Sequence, residues 1–593
     1  MGQHRGDEGA RGVSKGPVIA GVALVLVVLA VFGWMKLRDR ISEQGTAAAQ
    51  TCVEGDAVLD VSADPDIAIP LGELARRYND TAPVVRDHCI SVTVTPAPGT
   101  AVADSLATGD PAHWSGPGPA PALWIPQSSQ TVNRLADHPG LVSGQPKSIA
   151  SSPVVLAAPP LLAAQLTQRR TGWQDLAGLQ SDPQSLTASG LPGWGSLRLA
   201  LPTGPQSEPT ALAAEAVAAA VSGAGAGPVT AEQAASGPVV TALSQLGIGS
   251  AFLAGGPPAN TADALTALAA QTDQAAGTLH AVPATEQQVY RANRTDAALA
   301  TFTPTGATPV ADHPAAVLAA GWVDETRSRA AAQFADFLLQ PEQAQTLHDQ
   351  GFRAGDSERA GADAAVPFAP VTTALAPSSG AVSAALTDVV AHPVEARSTT
   401  VLLDVSGSMS ATEGSDTRLH NTATTLAAQI TATPDGSDVG LWTYSRGLDG
   451  TKPYRVLVPT GPLTGPVAGV ARRQALETAL GSLTPATATS TYASVEAAYR
   501  AAVNGYASDR PNSLLLITDG PNDDTSTSAR QMLSAVAAAA DPDRPVRIDV
   551  VTIGPNSDTA TLEQLAQQTG GTLIPVATSD GPELGQSIGK LLS

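Results

Sequence analysis

At 593 residues, of which 43% are hydrophobic but only 4% aromatic and 15% charged, the chain is too long for one hydrophobic core, because single cores stop growing at roughly 250 to 300 residues. Two or more domains are expected, packed largely by small side chains. The formal charge of -21 argues against a nucleic-acid or anionic-lipid binder, since holding phosphate needs a basic face.

Residues 1–16 are polar, and Pro17 to Met35 then runs without a charge. That run is long enough to cross the roughly 30 Å hydrocarbon layer as a helix. A cleaved signal peptide is the other reading, but its apolar region would be shorter and would end at small residues. Here Trp34, Lys36, Arg38 and Arg40 close the run. The expectation is a cytoplasmic N-terminus (1–16), a transmembrane helix (17–35) and a polar stalk (36–51). Arg5, Arg11 and Lys15 match Lys36, Arg38 and Arg40 in number, so charge leaves the orientation open. The only cysteines, Cys52 and Cys89, lie just beyond the span. An oxidising exterior would pair them, whereas in a cytoplasmic domain they would stay free thiols. The reading taken is a single-pass plasma-membrane protein with the bulk of the chain extracellular.

From residue 52 to about 355, short β-like runs alternate with helical ones. Strands are expected at 57–62, 89–94, 122–125, 153–158, 197–201 and 279–282, with helices such as 69–78 and 211–221 between them. Such alternation implies a parallel, covered sheet. Pro, Ala, Ser and Gly crowd residues 356–396, which read as a linker or a partly ordered packing segment. A second α/β pattern fills 397–593, with strands at 399–405, 439–444, 513–518, 547–553 and 572–576. Helices are expected at 419–431, 467–480, 492–504, 529–540 and 561–568. Near-continuous apolar strands mean that both sheet faces are buried. This is a doubly wound Rossmann-like domain whose ligand site should lie at the carboxyl ends of its strands.

Directly after the apolar strand Val401-Leu402-Leu403 comes Asp404-Val405-Ser406-Gly407-Ser408, one carboxylate and two hydroxyls on a tight loop. A hard cation such as Mg²⁺ takes about six oxygen ligands and keeps some waters. A second strand delivers Asp519 to the same sheet edge. With both segments in view, DVSGSMS and the later LLLITDG resemble the von Willebrand factor A domain and its metal-ion-dependent adhesion site. The resemblance maps the family's hydroxyl and carboxylate ligands onto Asp404, Ser406, Ser408 and Asp519. Its threonine falls on Thr489, with Thr491 as the alternative, and Ala488 stands where the family carries glycine. The resemblance implies that Ser406, Ser408 and Thr489 bind Mg²⁺, or Mn²⁺ or Ca²⁺, directly, while Asp404 and Asp519 act largely through waters. A carboxylate from a protein partner would fill the open position. Asp523 and Asp524 would strengthen the local negative field.

Residues 52 to 355 resemble the extracellular solute-binding proteins of bacterial ABC transporters, two α/β lobes around a cleft. The segments that carry this are Trp124-Ile125-Pro126, Ala281 to Gln287, Ala311-Asp312-His313-Pro314, and Ala331 to Leu339 followed by Gly351-Phe352-Arg353. Joined to the C-terminal domain, they resemble an actinobacterial membrane-anchored family. Such clefts hold small polar solutes. Ser62, Ser128, Ser129, Thr285 and Glu286, at predicted strand ends, are the candidate lining residues, each also readable as a turn or helix cap. Gly585-Gln586-Ser587-Ile588-Gly589 matches a nucleophile elbow but sits in a helix-like stretch near the C-terminus, without the expected strand before it. No catalytic residue is expected, and the chain reads as a binding protein rather than an enzyme. The alternatives are a solute receptor feeding an ABC-type uptake system and a chelatase-like accessory subunit, the latter at odds with the membrane span and the cysteines.

Overall fold

The protein is described from a computed structural model covering residues 34–36, 52–109, 113–294, 298–355, 365–508, 510–555 and 558–592. The expected transmembrane helix and stalk lie outside these residues apart from 34–36. Among the described residues no helix is long and apolar enough to cross a membrane.

The chain opens with β1 (Gly55–Ala63), α1 (Pro65–Asp80), β2 (Val84–Val85), β3 (His88–Pro96), α2 (Gly99–Thr108), β4 (Leu123–Ile125), α3 (Ser129–Asn133), β5 (Lys147–Ser148) and β6 (Ser152–Ala158). Helix α1 starts where it does because Asp64 caps it, accepting the Asp66 N–H at 3.0 Å, and Pro65 presets the first turn. Its apolar stripe, with Ile67, Leu71, Leu74 and Tyr78, is buried, as the helical period requires. Further on come α4 (Glu208–Ser222), α5 (Gly237–Ala251), β7 (Val282–Thr285), α6 (Glu286–Asn293), β8 (Ala300–Phe302), β9 (Val310–Ala311), β10 (Pro314–Val317) and α7 (Glu325–Leu338).

These elements form two lobes. The first holds a six-stranded sheet in the order β2-β3-β1-β4-β10-β5, the second a sheet in the order β7-β6-β8 with β9 also on β6. The expectation of a parallel sheet holds only in part. Strand β1 is parallel to β3 and β4, but β10 is antiparallel to β4, and β6 is antiparallel to β7, β8 and β9. A parallel pair needs a crossover back to the same strand end. Here β10 is reached through Asp312 and His313 from the second lobe, so the chain enters the first sheet running the opposite way. Residues 197–201 form no strand, only an isolated bridge from Leu199 to Ala281. The strand expected at 279–282 begins instead at Val282. Cys52 and Cys89 are joined in a disulfide that ties the start of β1 to β3.

Within the stretch read as a linker, α8 (Gly380–Ala391), capped by Ser379, buries Val382, Leu386 and Val390 in the core of the second lobe. The C-terminal domain consists of β11 (Ser398–Asp404), α9 (Arg418–Ala432), β12 (Asp438–Asp449), β13 (Lys452–Val458), α10 (Thr491–Asn504), β14 (Asn512–Thr518), β15 (Val546–Ile553) and β16 (Leu573–Val576), with further helices at 472–481, 529–539, 559–568 and 582–592. Its sheet runs β13-β12-β11-β14-β15-β16 and is parallel except for the β12–β13 hairpin. Every residue of β11 and β14 is buried. Val401 and Leu403 pack with α9 and the last helix, while Leu402 packs with α10 on the opposite face, which is the doubly wound arrangement. The helix expected over 467–480 starts only at Arg472. Ahead of it, 466–471 form a small hairpin whose turn places Ala468 and Gly469 at positive φ, 50° and 91°, which a helix cannot include. Ser587 lies within the last helix, not on a strand-to-helix turn.

Candidate functional site

At the carboxyl end of the central strand β11, Asp404 is fully buried. Its Oδ1 accepts the Ser406 N–H at 2.8 Å, and its Oδ2 accepts the hydroxyls of Thr518 at 2.8 Å and Tyr444 at 3.1 Å. Burial pushes this carboxyl up to about 6, hydrogen bonds from Ser406 and Thr518 oppose the shift, and nearby Asp519 adds to it. Ser406 Oγ lies 2.9 Å from Ser408 Oγ, and Ser408 donates to Asp519 Oδ1 at 2.7 Å. Two strand ends thus bring Asp404, Ser406, Ser408 and Asp519 into one hydrogen-bonded group.

The loop bearing Thr489 is docked on the same rim. Val405 O accepts the Ala486 N–H and Thr487 O accepts the Gly407 N–H, both at 2.6 Å, and Ala488 O accepts the Arg446 N–H at 2.8 Å. Thr489 is buried and joined through its backbone to Asp523. Ser490 donates to Asp524 at 2.7 Å. Asp523 and Asp524 are therefore loop clasps as well as charges. Thr491, the alternative threonine, opens α10 with its Oγ1 buried near the Tyr444 hydroxyl, on which it acts.

Sequence reading missed Arg418. This first residue of α9 donates from Nη1 to Asp519 Oδ2 at 2.6 Å and from Nε to Glu413 Oε1 at 2.9 Å. Its position, one helix start after the DxSxS loop, was the available signal. Among the described residues no three His, Cys, Asp or Glu side chains gather as metal ligands. The rim instead offers hydroxyls beside carboxylates, oxygen donors of the hard kind that Mg²⁺ prefers. The donor set fits such an ion.

A second polar cluster lies between the lobes. Asp66 Oδ2 accepts the side-chain amides of Gln127 at 3.0 Å and of Gln288, across the cleft, at 2.7 Å, and Arg291 lies 3.6 Å from its Oδ1. The Gln130 side chain donates to Glu215 of the second lobe. Asp312, on the crossing between lobes, accepts the Ser129 N–H at 2.6 Å and the Ser129 hydroxyl. Burial pushes Asp64 well above its ordinary value, with Asp66 and Glu208 adding to it. Burial also raises Asp66, and it raises Glu208 to about 7.

Of the expected cleft residues, Ser129 joins this cluster through Asp312, while Ser62 and Ser128 are buried. Ser62 Oγ is buried without a partner, and Ser128 sits 3.4 Å from Thr131 Oγ1. Thr285 instead caps α6 through the Gln288 N–H. The Glu286 carboxylate accepts two N–H groups of Arg353, at 2.7 and 3.2 Å, in a buried ion pair. Asp64, Asp66 and Glu208 were missed. The pattern Asp64-Pro65-Asp66 at the end of a strand was the legible signal for the first two.

Compared with known proteins, residues 59–353 match the family described as bacterial extracellular solute-binding protein, and residues 399–522 match the von Willebrand factor type A domain. An uncharacterised protein of Mycobacterium tuberculosis, found in two strains, is 35% identical over an alignment spanning 100% of this chain and 84% of that protein. Among solved structures, a von Willebrand factor type A protein from Catenulispora acidiphila is similar at 20% identity and a TM-score of 0.26, over 33% of this chain and 42% of that one. The sulfate-binding protein SubI from Mycobacterium tuberculosis is similar at 16% identity and a TM-score of 0.32, over 51% of this chain and 88% of that one.

Proposed function

This chain belongs to the family of those mycobacterial relatives, an extracellular solute-binding domain followed by a von Willebrand factor type A domain, and from that premise we propose that it is a binding protein held at the cell surface. The C-terminal rim takes Mg²⁺, or Mn²⁺ or Ca²⁺, on Ser406, Ser408 and Thr489. Asp404 and Asp519 supply the surrounding negative charge. The ion's role is electrostatic, offering a positive centre to a carboxylate on a protein partner.

The observation that carries this reading is the unbroken chain Ser406–Ser408–Asp519 above buried Asp404. Arg418 neutralises the far oxygen of Asp519 and leaves Oδ1 and the hydroxyls facing each other. Both domains are of kinds that bind rather than catalyse. The uncharged run 17–35 supports a single N-terminal membrane anchor, and the Cys52–Cys89 disulfide supports an extracellular location for the bulk of the chain.

Titration calorimetry of the full-length protein with Mg²⁺ or Mn²⁺ tests the metal. Heat should appear with the native chain and vanish in Ser408→Ala, whose exposed hydroxyl can be removed without opening the core. Silence with both ions would sink the proposal. The cleft between the lobes supports a second reading, a receptor for a small polar solute serving an ABC-type uptake system. Walls at this cleft enclose cavities of about 380 and 600 Å³, a size that suits such a ligand.

A further inference from the structure

The chemistry of the cleft between the lobes narrows the solute's class, an inference that rests on the solute-binding reading above. Asp64 and Asp66 come from the first lobe, Glu208 from the start of α4 in the second, and Asp312 from the chain crossing between them. They are near enough that Asp66 and Glu208 act on Asp64, and Asp66 and Asp312 act on Glu208. Among the described residues only Arg291 forms an ion pair with this group, through Asp66.

Two acceptors stay unpaired although buried. Glu208 Oε2 belongs to a residue 8% exposed, and Gln127 Oε1 to one 3% exposed; neither atom has a donor in hydrogen-bond range, although the Thr131 hydroxyl acts on the Glu208 carboxyl. Leaving buried acceptors without a donor is unfavourable, so the site is built to receive donors. Glu208 lines the cavity of about 380 Å³, and Asp66 lines that of about 600 Å³. Of the helix N-termini at the cleft, which could hold an oxyanion, those of α1 and α3 are taken by the chain's own Asp64 and Asp312 and α4 opens with Glu208 itself, while α2 begins without a side-chain cap beside the Glu208 carboxylate.

We propose that this cleft binds a small organic cation, a molecule presenting ammonium or guanidinium N–H groups to Glu208, Asp66 and Gln127. Such a group donates several hydrogen bonds and accepts none, which matches the unpaired oxygens of Glu208 and Gln127 and the carboxylate of Asp66. An anion would face the acceptor oxygens of Glu208, Asp66 and Gln127, with Arg134 and Arg291 as the cations acting on that group.

The test is thermal-shift and titration calorimetry on the full-length protein with putrescine, spermidine and arginine, against sulfate, phosphate and maltose. At least one of the three cations should raise Tm and release or take up heat. Glu208→Gln should weaken that binding at least tenfold while leaving the ligand-free protein as stable or more so, because it removes a crowded buried charge. Asp66→Asn should weaken it as well. Cation binding indifferent to both substitutions would place the ligand elsewhere and overturn the assignment. A response to sulfate, phosphate or maltose with the cations silent would overturn the charge class and leave the solute receptor standing. Silence with all six would overturn both.

Discussion

The buried pair between Arg353 and Glu286 offers a decisive test of which acidic residues at the lobe boundary are structural. Arg353 lies on the segment bridged to Ser151, where the chain passes between lobes. Its Nη2 and Nε both donate to Glu286 Oε2, at 2.7 and 3.2 Å, and Nη2 also reaches Ala369 O at 2.7 Å. The two side chains are only 9% and 5% exposed. Replacing Arg353 by Met removes the counter-ion and leaves a carboxylate buried in the first turn of α6. Breaking a buried pair in this way costs about 3–5 kcal/mol, a large share of the roughly 5–15 kcal/mol that keeps a domain folded. Replacing both partners, Arg353→Met with Glu286→Gln, leaves no charge uncompensated and should recover most of that loss. Urea unfolding followed by tryptophan fluorescence supplies the double-mutant cycle, with an expected coupling of at least about 2 kcal/mol. A single-mutant loss below about 1 kcal/mol, or simple additivity, would refute the reasoning and return Glu286 to the cleft as a ligand-binding group.

Two further outcomes follow from the same structure. The Cys52–Cys89 bridge has a sequence separation of 37, and chain-entropy arithmetic for a loop of that size gives about 4 kcal/mol. Calorimetric melting of the Cys52→Ser, Cys89→Ser double variant should show a loss of that order confined to the first domain, and an unchanged melting profile would contradict it. Glu208 is raised from 4.5 to about 7, first by burial and then by Asp66 and Asp312, with Thr131 and Arg134 opposing. The folded state therefore holds a proton that the unfolded state has already released. Its contribution is present below about 4.5 and is lost as pH rises towards about 7. Glu208→Gln should flatten the stability profile over that window, and an equal slope in both proteins would argue against the assignment.

Much of the C-terminal domain is legible before any coordinates. Its strands are runs such as Leu514-Leu515-Leu516-Ile517, too apolar to be solvated on either face. The ligand candidates Asp404, Ser406 and Ser408 share one short loop, so their convergence is a local property. Asp519 follows from the rule that parallel strands open their ligand side at the carboxyl end. Arg418 was hidden because a guanidinium at a helix start reads as an ordinary surface residue until its partner's position is known. In the first domain the strands at 57–62, 89–94, 122–125 and 153–158 were found, while 197–201 forms none and 279–282 is displaced to Val282–Thr285, and the direction of the pairing was not legible. Alternation of helix and strand says nothing about a chain that leaves one lobe and re-enters it from another.

The sequence by itself determined the two-domain plan, the doubly wound C-terminal sheet and the oxygen-rich loop at the end of its central strand. Each of these depends on neighbours within a few residues or on a simple hydrophobic period. Only the tertiary structure decided that Asp66 faces Gln288 and Arg291 and that Glu208 joins Asp64 and Asp312 between the lobes. It likewise decided that Glu286 is spent on Arg353. The physical reason is that burial and charge proximity depend on distances in space, and chain crossings bring together groups that no local pattern connects.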